Sequence, residues 1–245
     1  VKSPVDVSLT SVFMLNESIA WAVGHDATIL KSLDGGKHWQ IMYSNIELDA
    51  PLFDVYFEDS SHGLAVGAYG LLLKTQDGGR SWQQHFLGEG DLHLFDIIPS
   101  SDGIFISAEM GKVYKLVPGS DYQEIITGYE GSLFTGLINR EEKMVLFSMQ
   151  GNVIHNKNTP TWSNKHLATS AVINHALYDA KHGMFAVGAK GVILSGKSLS
   201  NLKVSQLKDR LTIADAVLLD DGRLLVVGKM GIKIITQLQI AFAGE

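Results

Sequence analysis

A small residue returns at a fixed interval along the chain, and that interval decides what the chain can fold into. Six apolar runs end in Gly24, Gly67, Ala108, Ser148, Gly188 and Gly228, at successive spacings of 43, 41, 40, 40 and 40 residues. Two variable residues and usually a glycine follow each run, as in GLAVGAYG at Gly63–Gly70 and GMFAVGAKG at Gly183–Gly191. Glycine supplies the positive φ angles of a tight hairpin turn, so each segment reads as strand, turn, strand. Self-similarity at a period of ~40 residues is the mark of a repeat array.

Each repeat carries four strand signals. In the second they are LFDVYF (Leu52–Phe57), GLAVG (Gly63–Gly67), LLLKT (Leu71–Thr75) and SWQQHF (Ser81–Phe86). Four short strands in a unit of ~40–45 residues make a propeller blade. A helical solenoid would show a 3.6-residue apolar period, which these runs lack. A β-sandwich uses short strands but does not space them at a constant period. The expected fold is all-β: a six-bladed β-propeller of four-stranded antiparallel blades, one domain over residues 1–245. Hydrophobic residues make up 45% of the chain and charged residues 19%, enough apolar material for such a core. In the last repeat Phe242 occupies the aromatic column of the outer strand. The segment VKSPVDV (Val1–Val7) is therefore expected to pair with that blade and close the ring, with Pro4 tolerated on an edge strand.

Two stretches, SLDGGKHW (Ser32–Trp39) and TQDGGRSW (Thr75–Trp82), repeat one pattern 43 residues apart. A turn that recurs in every unit explains two copies better than a catalytic motif does. Asp34 and Asp77 are expected to accept hydrogen bonds from turn amides, with Gly36 and Gly79 permitting the turn and Trp39 and Trp82 packing between sheets. The aromatic column continues as Tyr122, Trp162, Leu202 and Phe242, where the Asp-Gly part has decayed.

The repeated motif resembles the Asp-box of bacterial neuraminidase repeats. The succession VGxxG, then ILKS or LLKT, then DGG-x-x-W resembles more closely the photosystem II assembly and stability factor family, as a pattern along the whole chain. That resemblance implies a non-catalytic binding or assembly scaffold, exported to the periplasm or cell envelope. It would act as a monomer, without cofactor, on a protein partner such as a membrane complex. The alternative is a glycan-directed hydrolase or lectin of the neuraminidase-repeat type. Sialidases of this fold need converging arginines for a substrate carboxylate, and Arg80, Arg140 and Arg223 fall instead in or near turns on the Asp-box face.

Charge and composition narrow the classes further. The formal net charge is −6, against the basic stripe of a nucleic-acid binder. Without cysteine, disulfides, thiolate metal sites and cysteine nucleophiles are excluded. The nine histidines include no HxxxH or HExxH pair, so no metal site is expected, and no apolar run reaches the length of a membrane span.

One polar constellation recurs. Twelve or thirteen positions before each small residue stand Ser11, Asp54, Asp96, Thr135, His175 and Asp215. In a propeller these begin the innermost strands and ring a central tunnel. They either bind backbone amides and water or hold a cation or small polar ligand. The turns between second and third strands share that mouth, with Tyr69, Met110, Met149 and Met230 at their tips. These residues form an adaptable protein-binding surface or are scattered surface apolar groups. The expected partner site is thus Asp54, Asp96, His175, Asp215, Tyr69, Met110, Met149 and Met230, suited to a basic partner group and made pH-sensitive by His175.

Overall fold

A computed structural model of the chain describes residues 3–89, 91–117, 122–141, 143–156, 161–219, 221–229 and 231–235, with the backbone of residues 241–242. The first sheet comprises β1 (Leu9–Met14), β2 (Ala20–Gly24), β3 (Ile29–Ser32) and β4 (Gln40–Tyr43). The second holds β5 (Leu52–Phe57), β6 (Gly63–Gly67), β7 (Leu71–Thr75) and β8 (Gln83–Phe86). The third holds β9 (Leu94–Ser100), β10 (Gly103–Ala108), β11 (Lys112–Leu116) and β12 (Gln123–Ile126). The fourth is β13 (Thr135–Ile138), β14 (Met144–Phe147), β15 (Asn152–Asn156) and β16 (Trp162–His166). The fifth has β17 (Ile173–Asp179), β18 (Gly183–Gly188), β19 (Val192–Gly196) and β20 (Lys203–Gln206). The sixth has β21 (Ile213–Leu218), β22 (Leu224–Gly228) and β23 (Gly231–Ile235). The fold is an all-β, six-bladed β-propeller of mostly four-stranded antiparallel sheets.

The apolar runs are continuous rather than alternating because the middle strands are covered on both faces. All five residues of β2 are buried, as are four of the five in β6 and β7. The outer strands β4 and β8 are largely exposed and carry Gln, His and Tyr. Propensity for a strand and burial on two faces together select Val, Ile and Leu in the middle of each blade.

The periodic small residue has a steric cause. In the first, second, fifth and sixth sheets the register of the innermost strand slips by one residue, between Leu9 and Ser11, Leu52 and Asp54, Ile173 and His175, and Ile213 and Asp215. Each slip is a β-bulge, and it brings the start of the innermost strand against the end of the second. A Cβ at Gly24, Gly67, Gly188 or Gly228 would lie 2.2, 2.3, 2.1 or 2.2 Å from the carbonyl oxygen of Ser8, Pro51, Val172 or Thr212. In the fourth sheet β13 and β14 pair without a slip, and there the column admits Ser148. Its hydroxyl donates to the Ser132 carbonyl at 2.6 Å.

The expected closure by the N-terminal segment is not what the structure shows. Residues 3–7 carry no strand, while Val1 and Lys2 lie outside the described residues. The final strand β24 (Ala241–Phe242) does not extend the sixth sheet. It pairs antiparallel with β20 at the edge of the fifth, with Phe242 opposite Ser205. An edge strand pairs with any chain that reaches it, whatever its repeat of origin.

By contacts the chain divides into two compact units. Unit one is Val1–Ile97, Ile104–Ala108 and Tyr114–Glu124, and unit two is Ile98–Gly103, Glu109–Val113 and Ile125–Glu245. Within unit one, a core of Trp21, Val23, Ile29, Leu52, Val55, Phe57, Leu71 and Leu73 fills the space between the first two sheets. Within unit two, Val145, Phe147, Val153, Ile173, Met184 and Leu194 do the same for the fourth and fifth. Among the described residues, no helix is long and apolar enough to cross a membrane.

The close approach at the bulge predicts a sharp substitution effect. Gly67→Ala forces the two strands apart and should lower unfolding stability by about 1–3 kcal/mol. Urea denaturation measures this, and an unchanged midpoint would refute the steric account of the column.

Candidate functional site

The two Asp-box turns are built alike, and each is closed by its own side chains. Asp34 Oδ1 accepts from the amides of Lys37 and His38 at 3.0 and 2.9 Å, and Ser32 Oγ accepts from the Gly36 amide at 2.9 Å. Asp77 Oδ1 accepts from the Ser81 amide at 2.9 Å, its Oδ2 accepts from the Ser81 hydroxyl at 2.6 Å, and Thr75 Oγ1 takes the Gly79 amide at 2.9 Å. In both turns the Ser or Thr hydroxyl donates to the carboxylate at 2.9 Å. The hydroxyl position of the motif is therefore half of the device. Gly36 and Gly79 both sit at φ 82°. Trp39 donates its indole N–H to the Gly36 carbonyl at 2.9 Å. Trp82 meets Phe57 edge-on at 5.9 Å, and Phe57 in turn stacks on Trp21 at 3.5 Å.

The innermost strands carry the polar column, and within each unit it fastens neighbouring strands. In unit one, Ser11 Oγ donates to Asp54 Oδ1 at 2.8 Å, and Asp54 Oδ2 accepts from the Ile97 amide at 2.9 Å. Asp96, half-buried, precedes that amide on β9. In unit two, Thr135 Oγ1 accepts from the Ala176 amide at 3.1 Å, one residue after His175. His175 Nδ1 lies 3.4 Å from Asp215 Oδ1, and that oxygen also accepts from the Ala216 amide at 2.6 Å. Asp54 and Thr135 each satisfy an amide of the neighbouring innermost strand, whereas Asp215 takes the amide of its own next residue. Among the described residues, no group of three or more His, Asp or Glu side chains converges to hold a metal.

The turns between second and third strands present side chains in a costly conformation. Asp26, Tyr69, Met110, Gln150 and Lys190 all have φ between 55 and 58°, and the glycine after each of the last four is also left-handed. This double left-handed turn normally takes Asn-Gly, and a bulky residue in its first place costs about 1 kcal/mol. Tyr69 is 50% exposed and Met110 60% exposed, so burial does not repay that cost. Met149 is exposed one place before the left-handed Gln150, and Met230 lies outside the described residues.

Tyr69 is part of an aromatic cluster in unit one that the sequence reading missed. Its amide donates to His93 Nδ1 at 3.3 Å and its ring meets the His93 imidazole at 5.2 Å. Phe53 lies 5.8 Å from both His93 and Phe95. Phe53 is the bulge residue of β5, which turns it out beside Asp54. A Phe-Asp pair at 53–54 and again at 95–96, 42 residues on, was the available signal. The turns between first and second strands also repeat a device. Asn16, Asp59, Asn139 and Asp179 each accept two amides from the residues two to four places on.

Within unit two the arginines do not gather into one clamp. In unit two, Arg140 and Arg223 lie on first-to-second-strand turns, whereas Arg210 lies on the β20–β21 connection at the other strand end. Arg223 is held by Asp221, Nε to Oδ2 at 2.7 Å.

The Asp-box carboxylates give the site a pH signature. Hydrogen bonds from the His38 backbone and ring hold Asp34 well below the usual carboxylate range, and those from the Ser81 hydroxyl and amide hold Asp77 at about 2. Their pKa is lower in the folded than in the unfolded chain, where it is about 3.9. Their stabilisation is therefore complete above the unfolded value and disappears as pH falls through the folded one. Thermal unfolding between neutral pH and acid should show this decline, and Asp77→Asn should flatten it. A variant as acid-labile as the parent would contradict the assignment.

Comparison with known proteins agrees with this geometry. The family described as Photosynthesis system II assembly factor YCF48 matches residues 41–109, which span the last strand of the first blade, the second blade and the first two strands of the third. No curated protein sequence matches the chain. Among solved structures, YCF48 from Cyanidioschyzon merolae superposes with a TM-score of 0.68 at 15% identity, over 99% of this chain and 88% of that one. YCF48 bound to D1 peptide gives 0.61 at 15%, over 96% and 94%. The WD40 β-propeller domain of Doa1 gives 0.66 at 14%, over 95% and 93%, so at this distance the superpositions speak to the fold alone. The chain is an Asp-box β-propeller that resembles the photosystem II assembly factor YCF48.

Proposed function

We propose that the protein is a non-catalytic scaffold that captures a segment of a protein partner at the strand end where β5 and β9 begin. The observation that carries this reading is Tyr69. It is exposed, held left-handed at a turn tip, and set against the half-exposed rings of His93, Phe53 and Phe95. A backbone outlier that stability alone would replace with glycine points to a use for its side chain. Aromatic side chains clustered on rigid turns are what protein partners grip, because they bury large area with few rotors.

The similar fold of a YCF48 bound to a D1 peptide supports a peptide-like ligand. The likeness also supports the finer reading, in which the partner belongs to a membrane or envelope complex and the protein is exported; fractionation of native cells tests that placement. The polar column plays a smaller part than its carboxylates imply. Both Asp54 oxygens already accept hydrogen bonds within the fold. The contact with the partner is therefore mainly apolar and aromatic, and moderate salt should weaken it little.

Tyr69→Gly separates function from stability. Glycine relieves the left-handed strain, so the variant should be about 1 kcal/mol more stable by urea denaturation. The same variant should lose most of its capture of partner protein from a native envelope extract, read by affinity purification and mass spectrometry. Equal capture by the stabilised variant would remove the site from this face.

A further inference from the structure

The two units treat one position of the repeat differently, and the difference leaves a cleft. In unit one, Trp21 of β2 stacks on Phe57 of β5, and Trp82 closes the space from the Asp-box turn. Lys31 lies over the Trp21 ring at 4.9 Å and caps the turn by donating to the Gly78 carbonyl at 2.8 Å. In unit two the matching places hold Val145 for Trp21 and Tyr178 for Phe57, counted from the small residues, and Leu202 for Trp82, from the pairing of the outer strands. The lysine-to-turn contact survives, now from Lys165 to the Leu199 carbonyl at 2.6 Å. Both indoles are gone. Between the fourth and fifth sheets a cleft of about 810 Å³ opens, with Val145 and Tyr178 among its walls. The fifth and sixth sheets, where Phe185 stands for the first indole, enclose a smaller one of about 370 Å³.

The charge around the larger cleft runs against that of the chain. The protein carries a formal −6. Among the described residues the cleft is lined by Arg140, Lys143, Lys165 and Lys197 with Glu141 as the one carboxylate, and Glu141 is taken by Lys143. Arg140 is exposed and has no carboxylate partner among the described residues. Lys165 and Lys197 each give one hydrogen bond to a backbone carbonyl, of Leu199 and Lys181, and keep further N–H groups for a ligand. An apolar wall bearing one tyrosine ring, beneath a rim of four cations, suits one kind of ligand. It carries an aromatic group sized for the missing indole and a carboxylate beside it.

We propose that this cleft in unit two binds an aromatic carboxylate, presented either as a free small acid or by an acidic, aromatic stretch of peptide. The site lies at the strand end of the Asp-box turns and involves none of the residues assigned to partner capture through Tyr69. Its failure and the failure of that reading are therefore separable.

Isothermal titration of the full chain with three probes tests the proposal. They are N-acetyl-tryptophan, its neutral amide, and a capped Asp-Trp-Asp peptide. The free acid or the peptide should bind about tenfold or more tighter than the neutral amide, with affinity falling as salt is raised. Binding of the acid alone identifies a small-molecule source, and binding of the peptide alone identifies a chain segment. The double variant Arg140→Gln, Lys197→Gln changes two exposed side chains, so its melting temperature should match the parent while its affinity for the bound probe falls about tenfold. No binding by either anionic probe, equal binding of the neutral amide, or an unaltered affinity in the folded double variant would each overturn the proposal.

Discussion

In the first, second, fifth and sixth sheets the start of the innermost strand and the end of the second lie so close that a single methyl group would collide with a carbonyl. At Gly24, Gly67, Gly188 and Gly228 a Cβ would meet an oxygen at 2.3 Å or less. The bulge that creates this approach also inserts one residue before the polar column. That shift points Asp54, His175 and Asp215 along the sheet edge rather than into a blade face. From there Asp54 reaches the next innermost strand and His175 reaches Asp215. Where the bulge is present, the glycine and the polar residue after it, read separately in the sequence, meet at one register slip.

Packing between successive blades then decides where the surface is closed and where it is open. A blade buries both faces of its middle strands, so the residues between two blades must fill a gap of fixed width. Trp21, Phe57 and Trp82 fill it with rings, and the complete Asp-box supplies the third of them. When the motif decays, as at Ser198–Lys203, the turn persists through other bonds. Ser198 caps a short helical turn with Asn201. The ring is not replaced, and the gap becomes a cleft. Loss of a structural motif in one repeat thus creates surface that a ligand can use, while the blades keep their pairing.

The turn tips show the complementary economy of a repeat fold. Their backbone is the same in five blades, with a left-handed residue at the same place each time. The side chain there changes from Asp26 to Tyr69, Met110, Gln150 and Lys190, and most of these face water. A rigid frame that tolerates any side chain at a tip, at the cost of some backbone strain, lets the surface vary without altering the core. Tyr69 acquires its meaning from the neighbours that gather round it.

Much of the architecture was legible in the chain because it depends on local chemistry. The ~40-residue period, the hairpin glycines and the Asp-box turns involve residues within a few places of each other, so their pattern survives in one dimension. The six-bladed fold followed from that pattern. What only the tertiary structure decided rests on contacts between repeats. His93 meets Tyr69 across 24 residues of sequence, and Phe53 meets His93 across 40 and Phe95 across 42. The register slip that aims the polar column needs the second strand in place. The last strand pairs with β20 instead of its own blade because an edge accepts whichever segment reaches it. The basic cleft exists because two indoles, one on each of two successive repeats, are both missing. Each residue is visible in the sequence, but the space between them exists only once the sheets have packed.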